Sequence, residues 1–311
     1  MMKPNLLVFS AILLAQVSFQ ASAQTTLVKT ESAFGTRFMF EDSKSFGTFR
    51  SADGKVIHIK VGDSPGYDYK KIDDCGLNVK YDCFLAFNDN HEEGIEGEML
   101  LQVGTGHTKF CSSLLHQADS IMQAEMNPHI STLLDHANPV FHHDAYYTDL
   151  QTGEITFVCR FATEDFKYIE TPPAINWDIT DETMEIRGHS CRKATGGFRG
   201  RIYEAWFTED FPVSAGPWKL RGLPGVILYA KDSEGLASCM AVSVEEGGGD
   251  IEMAEYPYIE TSRKKHASML KQLFKSPDKF TSMHMSRAQG ITITLNGKDE
   301  PLRGVTFLEK D

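Results

Sequence analysis

The 311-residue chain sets 31 Lys and Arg against 43 Asp and Glu, a formal net charge of −12. That balance argues against a nucleic-acid or anionic-membrane surface as its main business, because phosphate binding needs clustered cations. Its hydrophobic fraction of 41% and charged fraction of 24% are those of a globular chain and exclude wholesale disorder.

The N-terminus reads as a cleavable export signal covering residues 1–23. Lys3 gives a positive start, Leu6–Leu14 is a nearly unbroken apolar run, and Ala21-Ser22-Ala23 offers the small residues that signal peptidase requires. The run is too short for a membrane span, which needs ~20 apolar residues. Cleavage after Ala23 removes Lys3 and takes the net charge from −12 to −13. No later apolar run reaches spanning length, so a soluble mature chain in the periplasm or at the extracellular face is expected. All six cysteines follow the leader, and an oxidising compartment permits up to three disulfides. Cys75 and Cys83 flank a stretch that could turn back on itself, so a local bridge between them is expected. The pairing of Cys111, Cys159, Cys191 and Cys239 stays open.

Most of the mature chain has strand character. Thr36–Phe40 and Phe46–Arg50 are short and aromatic, and Ala52-Asp53-Gly54 is a hairpin signal before Val56–Val61. Gly76–Phe87, Glu98–Val103, Ile155–Phe161, Glu185–Lys193 and Arg201–Thr208 follow as strand candidates. Leu236–Val244 alternates most cleanly, with Leu236, Met240, Val242 and Val244 on one face and Cys239 on the other. Ile291–Leu295 repeats the pattern. Two stretches have helical spacing: Lys109–Met126, stopped by Asn127-Pro128, and Ser262–Phe274, capped by Ser262 with Met269, Leu270, Leu273 and Phe274 on its apolar face. The expected fold is mainly β (α+β), a curled antiparallel sheet or two packed sheets with two to three short helices. A single domain over residues 24–311 is preferred to a split near residue 145.

Between two strands, Phe211–Gly225 carries Pro212, Gly216-Pro217, Gly222 and Pro224-Gly225, a stiff and shaped loop. Leu223-Pro224-Gly225 fits a type II turn with positive φ at Gly225. The stretch 189–235, and above all Gly222-Leu223-Pro224-Gly225-Val226-Ile227, resembles the signature of the GLPGLI (Porph_ging) family of exported Bacteroidota proteins. Met99–Gly104 with Lys109–Ser112, and Ile175–Ile179, resemble further blocks of that family. The resemblance spans roughly residues 96–250 and implies export and a β-rich fold; it implies no activity.

The shaped loop is expected first to brace the fold. Trp206, Phe211, Trp218, Arg221, Leu223 and Pro224 are the candidate surface for a small ligand, a peptide or an envelope protein. Arg187, Arg192, Arg199, Arg201 and Arg221 could grip a carboxylate or phosphate, or pair with Glu185, Glu204 and Asp232. His129, His136, His142 and His143 gather near Asp135 and Asp144, and His189 lies near Cys191. These are ligand types for a transition metal, with His142, His143 and His189 the candidates, but they lack the spacing of a known metal motif. No cofactor is expected beyond that. No GxSxG or P-loop occurs, nor an SxxK with the partner motifs of such a site, and Ser214 alone does not make a nucleophile. The sequence therefore favours a non-enzymatic binding protein over a hydrolase or metal-binding protein whose site is assembled from distant residues.

Overall fold

The computed structural model describes residues 27–32, 35–40, 46–50, 56–60, 68–113, 116, 144–161, 164–255, 257–276, 293–295 and 308–309. The leader and the histidines at 129, 136, 142 and 143 lie outside these residues. The described chain is mainly β, with one helix of more than a single turn.

Near the N-terminus, β1 (Leu27–Ser32) pairs with β2 (Gly35–Phe40). Next, β3 (Phe46–Arg50) and β4 (Val56–Lys60) form the hairpin expected around Ala52-Asp53-Gly54. β5 (Asp68–Asp74) precedes the main sheet. Its first meander comprises β6 (Leu77–Ala86), β7 (Gly94–Val103), β8 (His107–Ser112), β9 (Asp144–Asp149), β10 (Ile155–Phe161) and β11 (Glu164–Glu170). A second comprises β12 (Trp177–Ile186), β13 (His189–Phe198), β14 (Arg201–Thr208), β15 (Val226–Asp232) and β16 (Ala237–Glu246). β17 (Asp250–Glu255), β18 (Ile259–Glu260), helix α1 (Arg263–Lys275) and β19 (Ile293–Leu295) complete the elements.

The main sheet has twelve strands in the order β12-β13-β14-β15-β16-β6-β7-β8-β9-β10-β11-β18. All of its pairings are antiparallel except β11 with β18. Among the described strands, the two meanders pair only where β6 meets β16. One buried cluster joins Tyr81, Leu101 and Phe110 of the first meander to Ala194, Phe207, Ile227 and Leu228 of the second, so the sheet curls over its own core. Tyr81 donates its hydroxyl hydrogen to the Ile227 carbonyl at 2.7 Å across that core.

Several expectations need correction. Glu185–Lys193 is not one strand: Arg187 (φ 50°) and Gly188 (φ 83°) make a two-residue turn between β12 and β13, the left-handed pair that a tight hairpin demands. Lys109–Ser112 is not the start of a helix. It lies in β8, a central strand paired to β7 and β9 and buried on both faces, which is why alternation is missing there. The expected face of β16 is also reversed over its first half, where Ala237 and Ala241 are buried and Met240 is exposed. A register shift between Ala241 and Ser243 then turns Val244 back toward the core, as a bulge does.

Cys75 and Cys83 do not bond. β6 runs straight from residue 77, leaving them roughly 25 Å apart at strand rise. Cys83 instead bonds Cys239, its direct cross-strand partner on β16, with 4.1 Å between the Cα atoms. Cys75 is buried, its thiol donating to the Leu77 carbonyl at 3.3 Å. Cys111, Cys159 and Cys191 are buried and outside any disulfide as well.

Candidate functional site

Asp144 opens β9 and Cys159 lies on β10; they are cross-strand register partners, so their side chains share a face. The helix α1 brings the third group. Its N-cap Ser262 accepts from the Lys265 amide at 3.3 Å, and His266 sits on the buried face with Leu273. Together the ligand atoms of Asp144, Cys159 and His266 lie within 4.8 Å of one another, and theirs is the single such group of three among the described residues. The His266 ring packs 4.7 Å from Phe157 and 6.0 Å from Tyr168. The Tyr146 hydroxyl lies 3.5 Å from Asp144 Oδ2.

Burial governs the protonation of all three. It pushes the Asp144 carboxyl up to about 7, against the opposing pull of Tyr146 and Lys219. Burial, helped by the Lys219 charge, takes the His266 imidazole down to about 4. The Cys159 thiol is raised well above its ordinary value, by burial first and then by Asp144 and Asp165. Without a bound cation, the site therefore favours neutral acid, imidazole and thiol, each able to become a metal ligand on losing a proton or lending a lone pair.

Beside this group lies Lys219, whose side chain is 2% exposed. Its ammonium lies 2.6 Å from both Glu170 Oε1 and Glu309 Oε1. The rings of Tyr146, Tyr168 and Trp218 surround it at 5.4–5.8 Å. Arg199, in the β13–β14 turn, reaches Glu170 at 2.6 Å, and Arg263 of α1 reaches Glu309 at 2.8 Å.

The shaped loop holds Lys219 in place, and its apolar residues point inward. Trp206 and Trp218 are each 9% exposed and Leu223 is buried; Phe211 and Arg221 are half-buried, and Pro224 is exposed. Trp218 takes a left-handed φ of 57° and packs edge-on against Phe198 at 5.5 Å. Ser214 accepts from the Gly222 amide at 2.7 Å, and Trp177 donates to the Arg221 carbonyl at 2.9 Å. The expected type II turn does not form. Positive φ falls at Gly222 (102°), not at Gly225. Gly225 is required for another reason: a Cβ there would collide with the Thr208 carbonyl.

The remaining candidates separate. His189 pairs with Asp210 at 2.7 Å and packs 5.1 Å from Phe211, away from the three-ligand group. Arg201 is buried against Asp232 at 2.7 Å, a pairing the sequence had offered. His266 was missed, although it lies three, four and seven residues before Met269, Leu270 and Leu273, on the same helical stripe.

No curated protein matches this chain. Solved structures of PNGF-II are similar to it: one in space group P21, with 14% identity and a TM-score of 0.48 over 64% of this chain and 34% of that one, and one in space group C2, with 14% identity and a TM-score of 0.45 over 64% and 33%. This chain thus spans about a third of the PNGF-II chain. The family described as "Protein of unknown function (Porph_ging)" matches residues 199–229, from the β13–β14 turn through the shaped loop into β15.

Proposed function

We propose that the chain is an exported protein that binds a transition-metal ion of the zinc type through Asp144, Cys159 and His266. The single observation that carries this reading is the convergence of those three ligand atoms within 4.8 Å. Carboxylate, thiolate and imidazole form a borderline-soft set suited to zinc or cobalt, and three protein ligands leave a fourth tetrahedral position for water or a ligand. The Lys219 charge, which would oppose a cation, is offset by two carboxylates at 2.6 Å. Export is supported by the leader, by the Cys83–Cys239 bond and by the family signature. Among the described residues no helix is long and apolar enough to cross a membrane. The burial of Trp206, Trp218 and Leu223 supports a bracing role for the signature loop, with the site behind it.

Cobalt(II) titration of the chelator-treated mature protein tests the reading. One equivalent should bind and give a sulfur-to-cobalt charge-transfer band, which Cys159→Ser should abolish while the fold persists. Tyr146→Phe, which removes the hydroxyl beside Asp144, should weaken binding by about tenfold. Absence of the band from the native protein, or its survival in Cys159→Ser, would end the proposal.

A further inference from the structure

Glu309 lies far from the shaped loop in sequence, yet its carboxylate is held by three cations from three elements. Lys219 reaches it at 2.6 Å, Arg199 at 3.4 Å and Arg263 at 2.8 Å. The preceding residue is held in two further ways. The Tyr203 hydroxyl donates to the Leu308 carbonyl at 2.8 Å, and the Leu308 side chain packs against the main core. Two consecutive residues are thus recognised by an apolar contact, a backbone hydrogen bond and a charge clamp. Those are the devices with which proteins capture peptide segments. Glu170 belongs to the sheet and stays in the box. Withdrawing Glu309 would take from the Lys219 ammonium, whose side chain is 2% exposed, one of its two carboxylates, a site that calls for an anion.

We propose that the Lys219–Arg199–Arg263 box is a binding site for an acidic peptide with a Leu-Glu step, and that residues 308–309 fill it as an internal ligand. This goes beyond the metal reading and uses none of its ligands, so either can fail alone. The strap competes for the box at a high effective concentration, being tethered to it. An outside peptide gains access only when the strap leaves.

The test uses the full mature chain and a fluorescein-labelled peptide, Val-Thr-Phe-Leu-Glu-Lys-Asp, which copies residues 305–311. Fluorescence anisotropy should show weak binding to the native protein. Glu309→Gln should bind the peptide at least about tenfold tighter, because the internal competitor has lost its charge. Adding Arg263→Gln to that variant should reverse the gain. A peptide with Gln in place of Glu should not bind. The proposal is overturned if Glu309→Gln, shown folded by its melt, binds no tighter than the native protein. It is equally overturned if the Gln peptide binds as well as the Glu peptide. Displacement of the peptide by equimolar glutarate would place the affinity in a carboxylate alone and overturn the peptide assignment.

Discussion

Asp144 can be charged only against the burial that surrounds it. Its folded pKa of about 7 lies above the ordinary 3.8, so protonation favours the fold. That stabilisation is fully present below the ordinary value and is lost as pH rises through 7. His266 has the opposite sign: its pKa falls from 6.5 to about 4, so its contribution is present above 6.5 and lost as pH falls toward 4. Metal-free Asp144→Asn should therefore melt higher than the metal-free native protein at pH 8, by the equivalent of about 4 kcal/mol. Near pH 4 the two should melt together, and an equal gap at both pH values would refute this account. The same variant should bind cobalt poorly, a gain in stability coupled to a loss of function. Two of the three ligands were visible in the sequence, Asp144 among the histidines and Cys159 among the open cysteines, and His266 was not. Their meeting was not visible, because it depends on strand register and on one face of a helix 107 residues beyond Cys159.

At the scale of the element, the loop from Phe211 to Gly225 is a brace. Trp218→Ala removes a buried ring but keeps the left-handed backbone at φ 57°. It should destabilise the fold by ~3–5 kcal/mol, read as a lowered melting midpoint. Two glycine variants separate two physical causes. Gly222→Ala meets only the positive-φ penalty, about 1 kcal/mol. Gly225→Ala drives a methyl into the Thr208 carbonyl, which belongs to strand β14 and cannot turn aside, so it should be the more damaging of the two. Equal midpoints for the pair would refute that ordering. The sequence showed a stiff loop because proline and glycine act locally. It misplaced the strained residue because closeness to β14 is a tertiary fact. Strand edges were legible for the same local reason: β3 and β10 fall where alternation and turn residues put them. β8, buried on both faces, gave no alternation to read.

Over the whole molecule, the Cys83–Cys239 bond crosses the seam between the two meanders and closes 156 residues. A loop of that length gives a chain-entropy stabilisation of up to about 5 kcal/mol. Reduction, or Cys83→Ser with Cys239→Ser, should lower the denaturation midpoint accordingly. The unreduced, denatured protein should present four titratable thiols, those of Cys75, Cys111, Cys159 and Cys191; two or six would contradict the pairing. The sheet class was readable from composition and alternation. The seam was not, since nothing local links residues so far apart.

The seam belongs to a nested series. β4 pairs with β19, β5 with β17 and β6 with β16, so each earlier strand meets a later one, as in the stem of a hairpin. Within each meander, strands meet their sequence neighbours, and the pairs joined by short loops can form early, because such loops close at little entropic expense. The nested pairs span nearly the whole chain and gain from being closed from the inside outward. Once β6 and β16 have met, the ends that must find each other for β5 and β17 are already neighbours. In an oxidising compartment the Cys83–Cys239 bond would make that first closure durable, and the outer pairs would follow as a zipper follows its lowest tooth.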